Sequence, residues 1–301
     1  MPMGPLWLNT PLNTGWIMHS SRRCRRAYRM GWLIYSTAPN HISQRGSRCT
    51  ILTNPGALSR LGRFNALVRR FIMLHSVGSY DLAEHLIMQR PEQVNARGGR
   101  NLFPLPAALY KSHFCVANLL RKHGAVVDVR GDYGRTPLFV ASIDGSADIM
   151  QWLLDQGADP NCENNARRTP LHVAAYNGHF EAIEILLKHN ADIDSQNLKD
   201  ETPLCYVLTN DRSTPEGQVA DRVRRLLEHG ADTNICNHTH STAIHKGSSR
   251  GWLEVAQLLL RYGAKVDEKD KEGRTPLELA ASHGHPAITK LLLKHGAVPQ
   301  P

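Results

Sequence analysis

The sequence of 301 residues carries a formal net charge of +9, with 41% hydrophobic and 21% charged residues. No apolar run approaches the roughly 18 residues that a membrane-spanning helix needs, so we expect no such span. The six cysteines show no paired spacing. This favours reduced thiols in a cytosolic or nuclear protein over a disulfide framework.

The positive charge belongs to the start of the chain. Eleven arginines precede the first acidic residue, Asp81. Removing these eleven from the 36 basic residues leaves 25 against 27 acidic residues, a net charge of −2. Residues 1–62 contain neither an acidic residue nor a lysine. We interpret them as a basic N-terminal extension that is disordered or has no fold of its own.

Three other interpretations of this extension stay open. Acid-poor N-termini with Arg and Ser resemble mitochondrial transit peptides, although prolines and glycines here interrupt any long amphipathic helix. The arginines within residues 21–26 match a nuclear-import or nucleic-acid-binding patch, but such short clusters are common by chance. A secretory signal fits less well, because no basic residue precedes the first apolar stretch.

Residues 57–74 carry apolar side chains at helical spacing, including Leu61, Phe64 and Val68. A basic amphipathic helix of this kind is typical of membrane surfaces and calmodulin targets. Since the ends of a repeat array need covering, we expect it instead to pack on the first unit of the array that follows. Residues 63–97 are interpreted as a degenerate N-terminal repeat or cap.

From residue 103 onward, one short motif returns at a fixed period. Its copies begin at Phe103, Thr136, Thr169, Thr202, Thr242 and Thr275, in steps of 33, 33, 33, 40 and 33 residues. A Leu-Leu pair followed by Gly-Ala keeps the same steps, with Asn190 replacing one glycine. Two markers with one period indicate stacked supersecondary units, none of which can bury its apolar face alone.

The unit 169–194 shows how each repeat should fold. Thr169 suits a helix N-cap, and Pro170 suits the first helical position. Gly178 turns the chain, and a second apolar helical run ends at Asn190, which tolerates the left-handed conformation. Each unit is therefore expected to form a helix, a turn, a second helix and a loop.

These residues resemble ankyrin repeats, whose signature includes Thr-Pro-Leu-His, an alanine pair, a glycine turn and a Leu-Leu-x-x-Gly-Ala ending. The resemblance implies an all-α solenoid of stacked helix-turn-helix units joined by hairpin-like loops. It also implies that His172 and His245 connect adjacent units by hydrogen bonds. We assign six repeats, at about 98–130, 131–163, 164–196, 197–236, 237–269 and 270–301.

The array departs from regularity at two places. The unit that begins at Thr202 has seven additional residues near Asn210–Gly217. Their composition predicts a loop that lengthens the turn between the two helices without breaking the stack. The last repeat has no separate cap. We expect a monomer, and end-to-end association at the uncapped C-terminus is the alternative.

The motifs of common enzymes are absent: there is no Gly-x-Ser-x-Gly, no phosphate-binding Gly-Lys-Ser/Thr loop and no Gly-x-Gly-x-x-Gly. We therefore expect neither catalysis nor a cofactor. Most of the conspicuous histidines occupy repeat positions, and only His238 and His240 lack such an explanation. No third and fourth ligand is evident beside them, so no metal site is expected.

The resemblance implies a non-catalytic scaffold that binds other proteins through its concave face. On the loops, the candidate contacts are Tyr133, Arg135, Asn165, Arg167, Lys199, His238, His240, Lys271 and Arg274. On the inner helices, they are Tyr110, Lys111, Ile143, Asp144, Tyr176, Asn177, Ser249, Arg250 and His283. Aromatic and Arg residues usually dominate binding energy, which favours Tyr133, Tyr176, Arg167 and Arg250.

Two further functions compete with this one. The array could be the regulatory, ligand-sensing portion of a larger signalling enzyme or receptor ATPase. Alternatively, the arginine-rich extension could bind nucleic acid, which we consider the weaker hypothesis because the repeats themselves are nearly neutral.

Overall fold

The computed structural model describes residues 80–98, 103–209 and 214–299. The expectations for residues 1–62, for the helix over 57–74 and for the beginning of the unit 63–97 lie outside these ranges. The regular secondary structure of the described residues is helical, and these residues contain no strand. Their α-helices are α1 (Tyr80–Gln89), α2 (Pro104–Tyr110), α3 (Phe114–Lys122), α4 (Pro137–Asp144), α5 (Ala147–Asp155), α6 (Pro170–Asn177), α7 (Phe180–Lys188), α8 (Pro203–Val207), α9 (Glu216–Glu228), α10 (Ala243–Arg250), α11 (Leu253–Arg261), α12 (Pro276–Ser282) and α13 (Pro286–Lys294).

The recurring threonines begin the helices as predicted. Thr136 Oγ1 accepts a hydrogen bond from the Phe139 N–H at 3.3 Å, and Pro137 takes the first helical position. At the other end of this helix, Gly145 adopts φ = 69°, the left-handed region in which glycine carries no Cβ penalty. Asn190 takes the same region with φ = 63°, which confirms it as the replacement for glycine.

The helices alternate between two rows. The even-numbered helices α2–α12 form the inner row, and the odd-numbered helices α3–α13 form the outer row, each packing on its partner in the same repeat. Neighbouring repeats pack inner on inner, as in α4 on α6, and outer on outer, as in α5 on α7. One cluster of buried apolar side chains runs from Ala83 to Ala297. The predicted stack of helix-turn-helix units is confirmed.

Two buried histidines occupy the same repeat position, and His172 connects successive repeats as the resemblance implied. The Thr169 N–H donates to His172 Nδ1 at 3.2 Å, and His172 Nε2 donates to the Glu201 carbonyl at 3.0 Å. His245 accepts from the Thr242 N–H in the same way, but its Nε2 donates to the Glu268 carbonyl at 3.0 Å, at the end of its own repeat in the bounds given above. Burial lowers the pKa of His172 to about 4, so the ring is neutral at pH 7 and can accept at one nitrogen while it donates at the other.

The loops after the outer helices contain a second connection between repeats. Each has Asn or Asp at the same place, which accepts a backbone N–H bond from the next repeat at 2.8–3.1 Å. The three asparagines also donate to a carbonyl of that repeat at 2.8–3.3 Å. Aspartate has no hydrogen to donate there. Asparagine and aspartate alternate at this place along the chain: Asn95, Asp128, Asn161, Asp194, Asn234 and Asp267.

Asp128 fits this place less well than an asparagine would. One carboxylate oxygen accepts the Asp159 N–H at 3.1 Å, while the other is buried without a hydrogen-bond partner. Burial raises the pKa of Asp128, and the nearby Asp159 carboxylate raises it further. The ionised side chain therefore weakens the folded state at neutral pH.

Replacing Asp128 with Asn should raise the free energy of unfolding by about 0.5–1.5 kcal/mol at pH 7, because the new amide can donate where the carboxylate cannot. The folded-state pKa of Asp128 lies above its ordinary value, so the wild type loses stability as pH rises through that interval. The gain should accordingly be full at neutral pH and fade below about pH 4. Urea unfolding at several pH values measures it.

Asp132→Asn is the matched control, because Asp132 lies exposed on a loop. It should change stability by less than about 0.5 kcal/mol. A loss of stability in Asp128→Asn, or an equal gain in both variants, would contradict this account.

The repeat with the additional residues differs from the prediction in one respect. Glu216 and Gly217, predicted to lie in a loop, begin α9, which has 13 residues, whereas α8 is shortened to five. The additional residues are therefore shared between a longer outer helix and the connection before it. This repeat also lacks the turn that the third repeat forms with Gly178 and His179.

Arg222 of α9 replaces the missing histidine contact. His179 lies against Gly145 and donates to the Ile143 carbonyl at 2.9 Å. Arg222 lies against Gly178 in the same way and donates to the Tyr176 carbonyl at 2.5 Å. A longer side chain thus ties the last turn of α6 to an outer helix that also packs on α6.

Candidate functional site

Each loop before helices α6, α8, α10 and α12 is a small hairpin organised by one Asn or Asp, and Gly131 takes this place in the hairpin before α4. In the third repeat, the Asn164 N–H donates to the Arg168 carbonyl at 2.9 Å. Asn164 Oδ1 accepts from the Ala166 and Arg168 N–H groups at 2.9 and 3.0 Å. The same pattern recurs around Asn197, Asn237 and Asp270. We did not identify these organising residues from the sequence, although their common 33-residue and 40-residue spacing is a usable signal.

Backbone hydrogen bonds join each hairpin to the next. The Asn165 N–H donates to the Tyr133 carbonyl at 2.9 Å, and the Leu198 N–H donates to the Ala166 carbonyl at 3.1 Å. His238 to Lys199 and Lys271 to Thr239 continue the series at 3.1 and 3.0 Å. The hairpin positions are therefore fixed by the backbone, which leaves the side chains at the tips free for contacts.

The predicted loop residues lie on these hairpins. Tyr133 is 70% exposed, and the Arg135 guanidinium lies 5.2 Å from the centre of its ring. Asn165, Lys199 and Lys271 are also exposed. We call these side chains, with Leu198 and the exposed inner-helix residues Tyr110, Lys111, Asp144, Asn177 and His283, the hairpin surface.

Other predicted loop residues have partners inside the protein. Arg167 pairs with Glu163 at 3.4 Å, and Arg274 pairs with Asp270 at 2.8 Å. His238 Nδ1 lies 2.9 Å from the Lys199 carbonyl, which gives this histidine a structural explanation. His240 adopts φ = 55° and takes the left-handed position of its hairpin.

The predicted inner-helix residues are of two kinds. Tyr110 is 57% exposed, and Lys111, Asp144, Asn177 and His283 are exposed as well. The half-buried residues are Ile143, Tyr176, Ser249 and Arg250. These four side chains are therefore only partly accessible to a partner.

Two of the half-buried residues contact other rings. Tyr176 lies 5.0 Å from Tyr206, measured between ring centres. The Arg250 guanidinium lies 5.2 Å from the Trp252 ring. Such contacts restrict a side chain before it binds, so it loses less entropy when a partner binds. They also make the side chain contribute to the stability of the fold.

Three surface residues escaped the sequence analysis. Leu198 is 63% exposed at a hairpin tip, 33 residues after Asn165. The Arg168 guanidinium lies 4.7 Å from the Tyr206 ring. Tyr206 occupies the repeat position of Val173, which is buried, and of Val140, which is 38% exposed, so this position does not predict whether a side chain reaches the surface. The spacing would have found Leu198 but not Tyr206.

Metal-binding groups and two of the thiols were compared with what chemistry at such sites requires. No three His, Cys, Asp or Glu side chains among them are grouped to hold a metal ion. Burial, with nearby aspartates, raises the pKa of Cys162 to about 11, and burial also raises that of Cys205. Neither thiol is therefore a ready nucleophile at neutral pH. In the same part of the chain, no helix has the length and apolarity to cross a membrane.

The sequence matches one protein family over most of its length. The family described as Ankyrin repeats matches three times, over residues 71–164, 144–215 and 212–300.

Similar individual proteins share shorter segments. The 2-5A-dependent ribonuclease of Mus musculus is 38% identical over 66 residues, which are 22% of this chain and 9% of that protein. Ankyrin repeat and SOCS box protein 16 of Homo sapiens is 42% identical over 53 residues, which are 18% of this chain and 12% of that protein. Serine/threonine-protein kinase 12 of Arabidopsis thaliana is 36% identical over 61 residues, which are 20% of this chain and 13% of that protein. The matched segments thus span about a tenth of these relatives.

Proposed function

Because the chain belongs to the ankyrin-repeat family, we propose that it is a non-catalytic scaffold that binds another protein through the hairpin surface. The observation that carries this proposal is the exposure of large side chains on a rigid frame. Tyr133 and Leu198 are 70% and 63% exposed on hairpins that backbone hydrogen bonds hold together. An exposed aromatic or aliphatic tip on a preorganised loop loses little entropy when it binds.

The hairpin surface also has the composition of an interface. Aromatic and Arg side chains are enriched at protein contacts, and Tyr133 with Arg135 forms such a pair. Asn165 and Lys199 supply polar contacts around them. Ankyrin repeats are generally protein-interaction modules, which supports the same proposal.

A second candidate is that the array regulates chemistry encoded in a larger protein. The similarity to short parts of a ribonuclease and a protein kinase favours this candidate. In both cases the hairpin surface would bind a protein segment, either of a separate molecule or of an adjoining domain.

The proposal is tested with a double variant, Tyr133→Ala with Arg135→Ala. Partners are first captured with the wild-type protein and identified by mass spectrometry, and the dissociation constant of the purified partner is then measured. We expect the variant to bind at least roughly tenfold more weakly, because both residues have the character of binding hot spots. Its melting temperature should stay near that of the wild type, since both side chains are exposed.

The matched control is Tyr262→Ala with Arg261→Ala, which changes exposed residues of the same types at the end of outer helix α11. The control should bind as the wild type does. Equal affinities of wild type and the hairpin variant, or a larger loss in the control, would refute binding through the hairpin surface.

A further inference from the structure

Two tyrosines and two arginines form a compact group at the junction of the third and fourth repeats. Tyr176 and Tyr206 lie 5.0 Å apart between ring centres. The Arg168 guanidinium lies 4.7 Å from the Tyr206 ring, and Arg222 donates to the Tyr176 carbonyl at 2.5 Å. All four side chains are half-buried, so each packs against the protein and still reaches the surface. We call them the tyrosine–arginine cluster.

The two cations of this cluster lack carboxylate partners within the described ranges. On the outer helices, by contrast, Arg224 pairs with Asp221 at 2.8 Å and Arg225 pairs with Glu184 at 3.0 Å. The Arg168 side chain makes no hydrogen bond to any residue that the structure describes, and its Nε is buried without a partner. Its guanidinium is held by a ring alone, so its donors are not satisfied by the described part of the chain.

The carboxylates close to the cluster have other partners: Asp221, next to Arg222 in sequence, pairs with Arg224 at 2.8 Å, and Glu163 pairs with Arg167 at 3.4 Å. Glu201 is occupied by Lys246 at 2.8 Å and by Asn197 at 3.1 Å. Burial lowers the pKa of Arg222, and the nearby Tyr176 only partly offsets this effect. The cluster thus combines two partly desolvated positive charges with two aromatic faces. An anion that approaches it gains electrostatic energy without displacing an existing ion pair.

We propose that the tyrosine–arginine cluster binds a carboxylate side chain in an acidic segment of the partner protein. This inference rests on the proposed function and specifies the partner's chemistry. A guanidinium offers parallel N–H donors that match the two oxygens of a carboxylate, and stacking on a ring fixes its plane beforehand. The exposed Lys199 and Arg135 on the adjoining hairpins supply further positive charge along the same surface.

The test uses the full chain and two fluorescein-labelled probes, the decapeptides (Gly-Glu)5 and (Gly-Gln)5, with binding read by fluorescence anisotropy. The glutamate peptide should bind at least roughly tenfold more tightly at low salt, and the preference should shrink as the salt concentration rises. Arg168→Gln should remove most of this preference. Arg168→Lys should retain part of it, because the charge remains while the planar fork is lost.

Arg224→Gln is the matched control, since it removes an arginine from an outer helix; it should leave the preference unchanged. Equal binding of the two peptides, or an equal loss in Arg168→Gln and Arg224→Gln, would overturn the inference. Tighter binding of a labelled ten-residue oligothymidylate than of the glutamate peptide would overturn it in favour of nucleic acid.

The two proposals can fail separately. If a captured partner depends on Tyr133 and Arg135 but not on Arg168, the protein-binding function stands and the carboxylate inference falls. If no partner depends on the hairpin surface at all, the proposed function falls whatever the peptides do.

Discussion

Replacing Lys246 with Met should lower the free energy of unfolding by about 3–5 kcal/mol at pH 7, because it leaves a buried carboxylate without its counterion. Lys246 Nζ lies 2.8 Å from Glu201 Oε1 and 3.2 Å from the Cys205 carbonyl. The two side chains are only 14% and 7% exposed. Urea unfolding, with the slope compared between variants, measures the loss.

The double variant Lys246→Met with Glu201→Gln separates the ion pair from the loss of packing. Removing both charges should recover most of the stability, because the expensive species is the unpaired buried charge rather than the missing pair. Lys265→Met is the matched control, since Lys265 pairs with Glu268 at 3.2 Å with both side chains largely exposed. It should cost at most about 1 kcal/mol. A similar cost in both lysine variants would contradict the account.

The pH dependence gives this prediction a second signature. Burial alone would raise the pKa of Glu201, but Lys246 and Asn197 outweigh burial and hold the pKa below its ordinary value. Such a carboxylate contributes stability that is present above its unfolded-state pKa and is lost as pH falls through its folded-state pKa. The cost of Lys246→Met should therefore shrink in acid. A cost independent of pH would show that the ion pair is not its cause.

Leu186→Ala should cost about 2–5 kcal/mol, because it removes buried methyl groups and leaves a cavity. Leu186 lies on α7 in the outer row, is fully buried and belongs to the cluster that runs through the repeats. Thermal and urea unfolding measure the loss. Leu198→Ala, with a leucine that is 63% exposed, is the control and should cost less than about 0.5 kcal/mol. Equal losses of stability in the two variants would mean that the assignment of Leu186 to the core and of Leu198 to the surface is wrong.

The repeat period was enough to predict most of the array. Thr136, Thr169 and Thr202 begin helices because a side-chain oxygen can accept an early N–H wherever the preceding loop ends. The left-handed Asn190 followed from its place in the Gly-Ala marker. These features are local, so one unit of sequence contains the information needed to predict them.

The features that escaped prediction depend on contacts between repeats. Whether Arg222 could replace a histidine beside Gly178 depended on how the additional residues divide between a loop and α9. Tyr206 reaches Tyr176 only because two inner helices pack side by side. Side-chain partners of this kind are set by tertiary geometry, which the spacing of residues along the chain does not specify.

The candidate surface was predicted in position but not in detail. Tyr133 and Arg135 lie on a hairpin tip as expected, whereas Tyr176 and Arg250 also pack on neighbouring rings. Repeat register identifies which positions point away from the core. It does not show which of those side chains fold back onto the protein.

Hydrogen exchange of the protein with and without its captured partner tests the central claim most directly, because it locates the bound partner along the chain. We predict slower exchange in the hairpins around Tyr133, Asn165 and Leu198, with the outer helices α5, α7 and α11 unchanged. Protection confined to those outer helices, with the hairpins exchanging as in the free protein, would contradict binding through the hairpin surface.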